Sequence, residues 1–157
     1  MRLGLAVALV AAIVDQLAKW WIVSIFAADG DVHVLRIAPI LNFVLAMNRG
    51  VSFGLFNTSQ SLNAAVFTLI AAFIVAALLV WLKRAKGVLL HVAIGLVVGG
   101  AVGNVVDRLM RGAVVDFLDF HLGDWHWFVF NLADSAISVG VGLMVIDGLR
   151  TRGEPRN

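Results

Sequence analysis

The chain has 157 residues, 61% of them hydrophobic before its 15 glycines are counted, and only 14% charged against ~25% in ordinary soluble domains. A soluble domain of this length buries only ~70% of its unfolded surface and cannot hide so much apolar area behind so few charges, so a membrane protein is implied. The absence of cysteine excludes a disulfide framework, thiolate catalysis, thiolate metal sites and lipidation of the chain's own cysteines, and a net charge of +2 is too small to point to nucleic acid.

Each bilayer crossing needs ~20 apolar residues. Runs of that kind predict helices at about 3–28, 62–82, 88–106 and 127–149, and 1–157 reads as one integral membrane domain. The first run resembles a cleavable leader at its start, but Asp15 and Lys19 interrupt it and Trp20 to Ala28 continue it, so it reads as a retained helix. Spaced i, i+4, Asp15 and Lys19 share one face and can pair. The segment at about 29–61 is too apolar for a solvated linker: Val32, Val34 and Arg36 alternate, and Leu41 to Met47 has strand content. The third run places Gly95, Gly99, Gly103 and Asp107 on one stripe and Gly100, Asn104 and Arg108 on the next. Close helix packing explains the glycines but not the polar residues that end both stripes. At about 107–126 a second strand-like stretch, Ala113 to Phe120, sets Asp116 among Val114, Leu118 and Phe120, with Asp119 on the other face. The fourth run carries Asn131, Asp134 or Ser135, Ser138 and Gly142 as a polar or small stripe. Arg2, Lys83, Arg84, Lys86, Arg150, Arg152 and Arg156 fall on one side, which puts both termini in the cytoplasm and the two apolar loops outside.

An ionisable group in a bilayer costs at least ~2.5–3.5 kcal/mol and marks function by default. Helices of alternating direction bring Asp15, Lys19, Asn104, Asp107, Arg108, Asn131 and Asp134 to one depth in the outer half. Two carboxylates held together at an apolar interface cannot both ionise cheaply, so one stays protonated while the other acts as a base, which suits aspartic peptide hydrolysis. Asp116 and Asp134 are the natural pair, with Asp15, Lys19, Asp107 and Arg108 in support. Three alternatives stand beside it. A serine and lysine mechanism would use Lys19 with Ser24 or Ser52, but no sequence context singles those serines out. A metal site from Asp119, His121, Asp124 and His126 follows no known ligand spacing. A non-enzymatic transporter, channel or assembly factor predicts polar residues at every depth, whereas 62–82 carries only Asn63 and Thr68.

Five blocks occur in order: DQLAK at Asp15 to Lys19, NRGVSF at Asn48 to Phe53, GGAVGNVVDR at Gly99 to Arg108, GAVVDF at Gly112 to Phe117, and FNLAD at Phe130 to Asp134. Along nearly the whole chain this pattern resembles the lipoprotein signal peptidases of bacteria, or signal peptidase II; Val51 stands where that family often has alanine. The resemblance implies catalytic roles for Asp116 and Asp134, and supporting or substrate-binding roles for Asp15, Lys19, Asn48, Gly50, Asn104, Asp107, Arg108, Asn131 and Ala133. It further implies a mainly α, four-transmembrane-helix bundle in the bacterial inner membrane, with a small periplasmic β-cradle and a short periplasmic helix. The implied substrate is a diacylglyceryl-modified prolipoprotein, cut on the amino side of the lipidated cysteine without metal or organic cofactor. Membrane lipids are implied partners and globomycin an implied inhibitor. The stretch from Asn48 to Phe56 is expected to cover the substrate, with Gly50 and Gly54 allowing close backbone approach.

Overall fold

The computed structural model describes residues 1–28, 34–50 and 60–153. Its elements run α1 (Arg2–Ala28), β1 (Val34–Ala38), β2 (Leu41–Asn48), α2 (Gln60–Leu82), α3 (Val88–Arg111), β3 (Val114–Leu122), β4 (Trp125–His126) and α4 (Leu132–Gly153). All four helices are long and apolar enough to cross a membrane, and the chain is a multi-pass membrane protein.

Glycine makes α3 the hub of the bundle. A Cβ at Gly99 would lie 2.4 Å from the Ala8 carbonyl oxygen, and one at Gly100 would lie 2.4 Å from that of Ala133. The Gly95, Gly99 and Gly103 stripe therefore seats α1, while the next stripe seats α4. The outcome is a helix with 56% of its span buried, against 6% for α2, which packs chiefly on α3 and leaves Leu69 and Phe73 on the surface.

At the end of the bundle away from the α2–α3 loop, an antiparallel sheet has the order β1-β2-β3-β4. Ala46 pairs with Asp116 and Asn42 with Asp119, with an irregularity between Phe43 and Ala46. Phe117 joins Ile22 and Phe26 of α1 in a buried cluster, with Leu35, Phe43 and Leu118 packed against it, so the sheet is fastened to the tip of α1 by apolar contact.

Two boundaries differ from the sequence expectation. α3 continues past 106 to Arg111, because Asp107, Arg108 and Arg111 are tolerated where the helix emerges and the stop is Gly112, left-handed at φ 71° with its N–H on the Arg108 carbonyl. α4 begins at Leu132 and not near 127. Its cap is Asn131, whose Oδ1 accepts the Asp134 N–H at 2.9 Å while Asp134 Oδ2 accepts the Asn131 N–H at 3.4 Å. The apolar residues before it instead run beside β3: the Trp127 N–H donates to the Phe120 carbonyl, and Phe130 bridges Leu118. β4 closes a hairpin on β3 through Gly123 at φ 61°. Among the described residues no helix besides the four long ones lies at the sheet end, where a short periplasmic helix was expected. Val32, Val51, Ser52, the covering stretch as far as Gly54 and Phe56, and Arg156 lie outside the described residues.

Candidate active site

Two polar groups meet where α1, α3, α4 and β3 converge. The first is ionic. Lys19 and Asp15 are fully buried, and the Lys19 ammonium lies 2.8 Å from Asp15 Oδ2, 2.8 Å from Asp107 Oδ2 and 3.0 Å from Asn104 Oδ1, which occupies all three of its donors. Asp107 also accepts Arg111 Nη1 at 2.6 Å, Gln16 Nε2 at 3.3 Å and the Val115 N–H at 3.1 Å. Asp15 Oδ1 accepts the Ala133 N–H at 2.9 Å, in the first turn of α4, where the unpaired N–H groups favour an anion. The expected Asp15–Lys19 pair is thus part of a four-charge cluster with Asp107 and Arg111. Sequence reasoning passed over Gln16 and Arg111; the i, i+4 spacing of Arg111 from Asp107 was the available signal.

The second group is built from amides. Asp116, 2% exposed, accepts Asn131 Nδ2 at 2.6 Å and Asn48 Nδ2 at 2.8 Å. Asp134 accepts Asn104 Nδ2 at 2.8 Å, and Asn131 Nδ2 lies 3.3 Å from Asn104 Oδ1. Asn104 and Asn131 therefore bridge the two carboxylates. Desolvation pushes the Asp116 carboxyl above the ordinary carboxylate range; the Asn48 bond offsets part of this, and the Asp134 charge adds to it.

The remaining expected residues stand around this pair. Asn48 Oδ1 accepts the Gly50 N–H at 2.8 Å, and Gly50 is required twice over, since its φ is 82° and a Cβ would sit 2.7 Å from the Phe67 ring. Arg108 places its guanidinium 5.7 Å from the centre of that ring, within electrostatic reach of Asp134 and Asp116. Ala133 contributes through its backbone, to Asp15 and to the close approach at Gly100.

Among the described residues the rival constellations are not assembled. Ser24 is exposed and donates to the Trp21 carbonyl at 2.7 Å, and every Lys19 donor is engaged elsewhere; Ser52 lies outside the described residues. Asp119 is held by Asn42 at 3.1 Å and by His126 at 2.8 Å, with His121 stacked on His126. Among the described residues no three His, Cys, Asp or Glu side chains are arranged to hold a metal ion.

The chain is similar to known proteins. A profile of the family described as signal peptidase (SPase) II matches residues 7–150. The lipoprotein signal peptidase of Methylorubrum extorquens is 43% identical over 150 residues, which cover 95% of this chain and 86% of that protein. That of Nitrobacter hamburgensis is 40% identical over 156 residues, or 96% and 94%. Two bacterial membrane enzyme structures determined by the in meso method superpose with TM-scores of 0.78 and 0.77 at 27% and 30% identity, covering 98% and 93% of this chain and 93% and 92% of theirs. A family profile over nearly the full length and relatives at about 40% identity over most of the chain agree: the chain belongs to the signal peptidase II family.

Proposed function

We propose that this chain is an aspartic endopeptidase that removes the signal peptide from diacylglyceryl-modified prolipoproteins, cutting on the amino side of the lipidated cysteine. The observation that carries the reading is the bridging of Asp116 and Asp134 by Asn104 and Asn131, with no cation hydrogen-bonded to either carboxylate among the described residues. Such a pair shares its titration. One carboxylate of the pair, ionised, takes a proton from the water that attacks the scissile carbonyl; the other, protonated, donates to the carbonyl oxygen. As the tetrahedral intermediate collapses, a proton passes to the leaving amine. Asp15, Lys19 and Asp107 fix the geometry, and Arg108 limits the net charge.

The sheet end is assigned to the periplasmic side of the bacterial inner membrane and the basic ends to the cytoplasm. There the single peptidase domain meets a scissile bond that two acyl chains and an apolar signal helix hold near the outer interface. A globomycin-type inhibitor is expected to block it. A gel-shift assay on a purified lipidated precursor tests the reaction: cleavage by the native chain and none by a folded Asp134→Asn variant is expected, and retained turnover would overturn the aspartic mechanism. For orientation, a cysteine placed at Lys86 should resist an impermeant thiol reagent in intact cells and one at Asp124 should react; the reverse pattern overturns the assignment.

A further inference from the structure

A cavity of about 390 Å³ opens beside the carboxylate pair, walled by Trp127, Phe128 and Phe130 on one side and by Asp134, Ser138 and Val139 of α4 on the other. Its aromatic wall is braced, since Phe130 stacks on Phe120 at 5.7 Å and Phe128 meets Trp127 edge-on at 6.3 Å. Its mouth continues the surface of a membrane-crossing helix. Phe128 is 74% and Val139 55% exposed, in line with Val145 and Ile146 further along α4. The Ser135 hydroxyl, also in the wall, is spent on the Asn131 carbonyl at 3.0 Å, while exposed Ser138, one turn on, offers a donor.

These features ask for a ligand that arrives from the bilayer, is apolar along its length, carries a hydrogen-bond acceptor at its inner end and is attached close to the reacting bond. Resting on the function proposed above, we infer that this cavity takes the ester and proximal methylenes of one acyl chain of the substrate's diacylglyceryl group, with Ser138 donating to the ester carbonyl. Aromatic side chains mark the depth where esters lie. A second groove, between α2, α3 and α4, descends from Arg108 and Asn104 to Val97 and Ile74. From Val97 to Arg108 are eleven rises of ~1.5 Å, so that groove is roughly 16 Å long, and Asp134 does not line it.

The test compares two synthetic lipopeptides of one sequence, whose cysteine carries either a dipalmitoylglyceryl or a diacetylglyceryl group, cleaved in nanodiscs by the native chain, Val139→Trp and Ser138→Leu. Melting temperatures verify folding, and both substitutions are at exposed positions. Filling the mouth with Val139→Trp should lower the ratio of kcat/KM for the long-chain over the short-chain substrate by about tenfold, the loss of roughly two methylene contacts, and Ser138→Leu should lower kcat/KM for both esters. Equal losses on both substrates with Val139→Trp, or no change, would overturn the inference. So would altered preference for the peptide residue before the cysteine, or a dependence on bilayer lipid instead of substrate chain length. If the native chain cleaves neither substrate, the function reading itself fails, and the assignment of the cavity with it.

Discussion

Two pairs of carboxylates lie on either side of Asn104, and they are held in opposite ways. Asp15 and Asp107 are locked by Lys19 and Arg111; Asp116 and Asp134 are held by side-chain amides and a backbone N–H. Asn104 joins the two groups, accepting from Lys19 and donating to Asp134. A cation sets a full opposite charge beside a buried carboxylate and ties it into an ion pair, whereas a neutral amide offers it only a dipole. The ionic pair is thereby bound into a charge network, and in the proposed mechanism the amide-held pair is the one that exchanges protons. Burial is common to Asp15, Asp107 and Asp116; the chemistry of the partners is what differs.

The largest effect should come from Asp116→Asn or Asp134→Asn, each lowering kcat by at least about a thousandfold in a protein that still folds, since acid and base assistance is removed while only one of the two hydrogen bonds each carboxylate accepts is lost. Turnover within tenfold of native would break the distinction at its centre. Next is Lys19→Met, expected to destabilise the protein by about 3–5 kcal/mol, because buried Asp15 loses its counter-ion while Asp107 keeps Arg111. Adding Asp15→Asn should restore part of the melting temperature. Asp15→Ala alone should be milder, since Lys19 retains Asp107; an Asp15→Ala protein that is fully stable yet inactive would place Asp15 in the chemistry. A smaller loss, about 1–3 kcal/mol, is expected for Gly103→Ala, whose Cβ would fall 2.5 Å from Asp15 Oδ2. Thermal melts in detergent should show that loss while cleavage persists.

The smallest effect sharpens the comparison most. Asn48→Ala removes a bond that holds the Asp116 carboxyl down, so its already raised pKa should rise further and the alkaline limb of the kcat profile should move to higher pH. The sign for stability is the same: a folded-state pKa above the unfolded one gives a contribution fully present below the unfolded value and lost as pH rises through the folded value. An alkaline limb that stays put or moves down would show that Asp116 does not set that limb.

Much of this was legible in the sequence. The length and apolarity of four runs gave the helices, because membrane crossing is set by a property averaged over ~20 residues. The glycine stripes of α3 announced its close packing, and five short blocks pointed to Asp116 and Asp134. The start of α4 was legible too, in Asn131 and Asp134 three residues apart, but the apolar run from Trp127 outweighed it: hydropathy averages over a window, and a cap is a property of two residues. Other features were decided only by tertiary structure. Asp15 reaches the Ala133 N–H across 118 positions, and Gln16 reaches Asp107 across 91. The sequence by itself determined which segments enter the membrane and which polar residues go with them. Spacing offered Lys19 to Asp15 and Arg111 to Asp107, but the fold alone decided that Lys19 also reaches Asp107 and that Asn48, Asn104 and Asn131 reach Asp116 and Asp134, because those partners are chosen by how elements turn toward one another, and spacing along the chain does not encode that rotation.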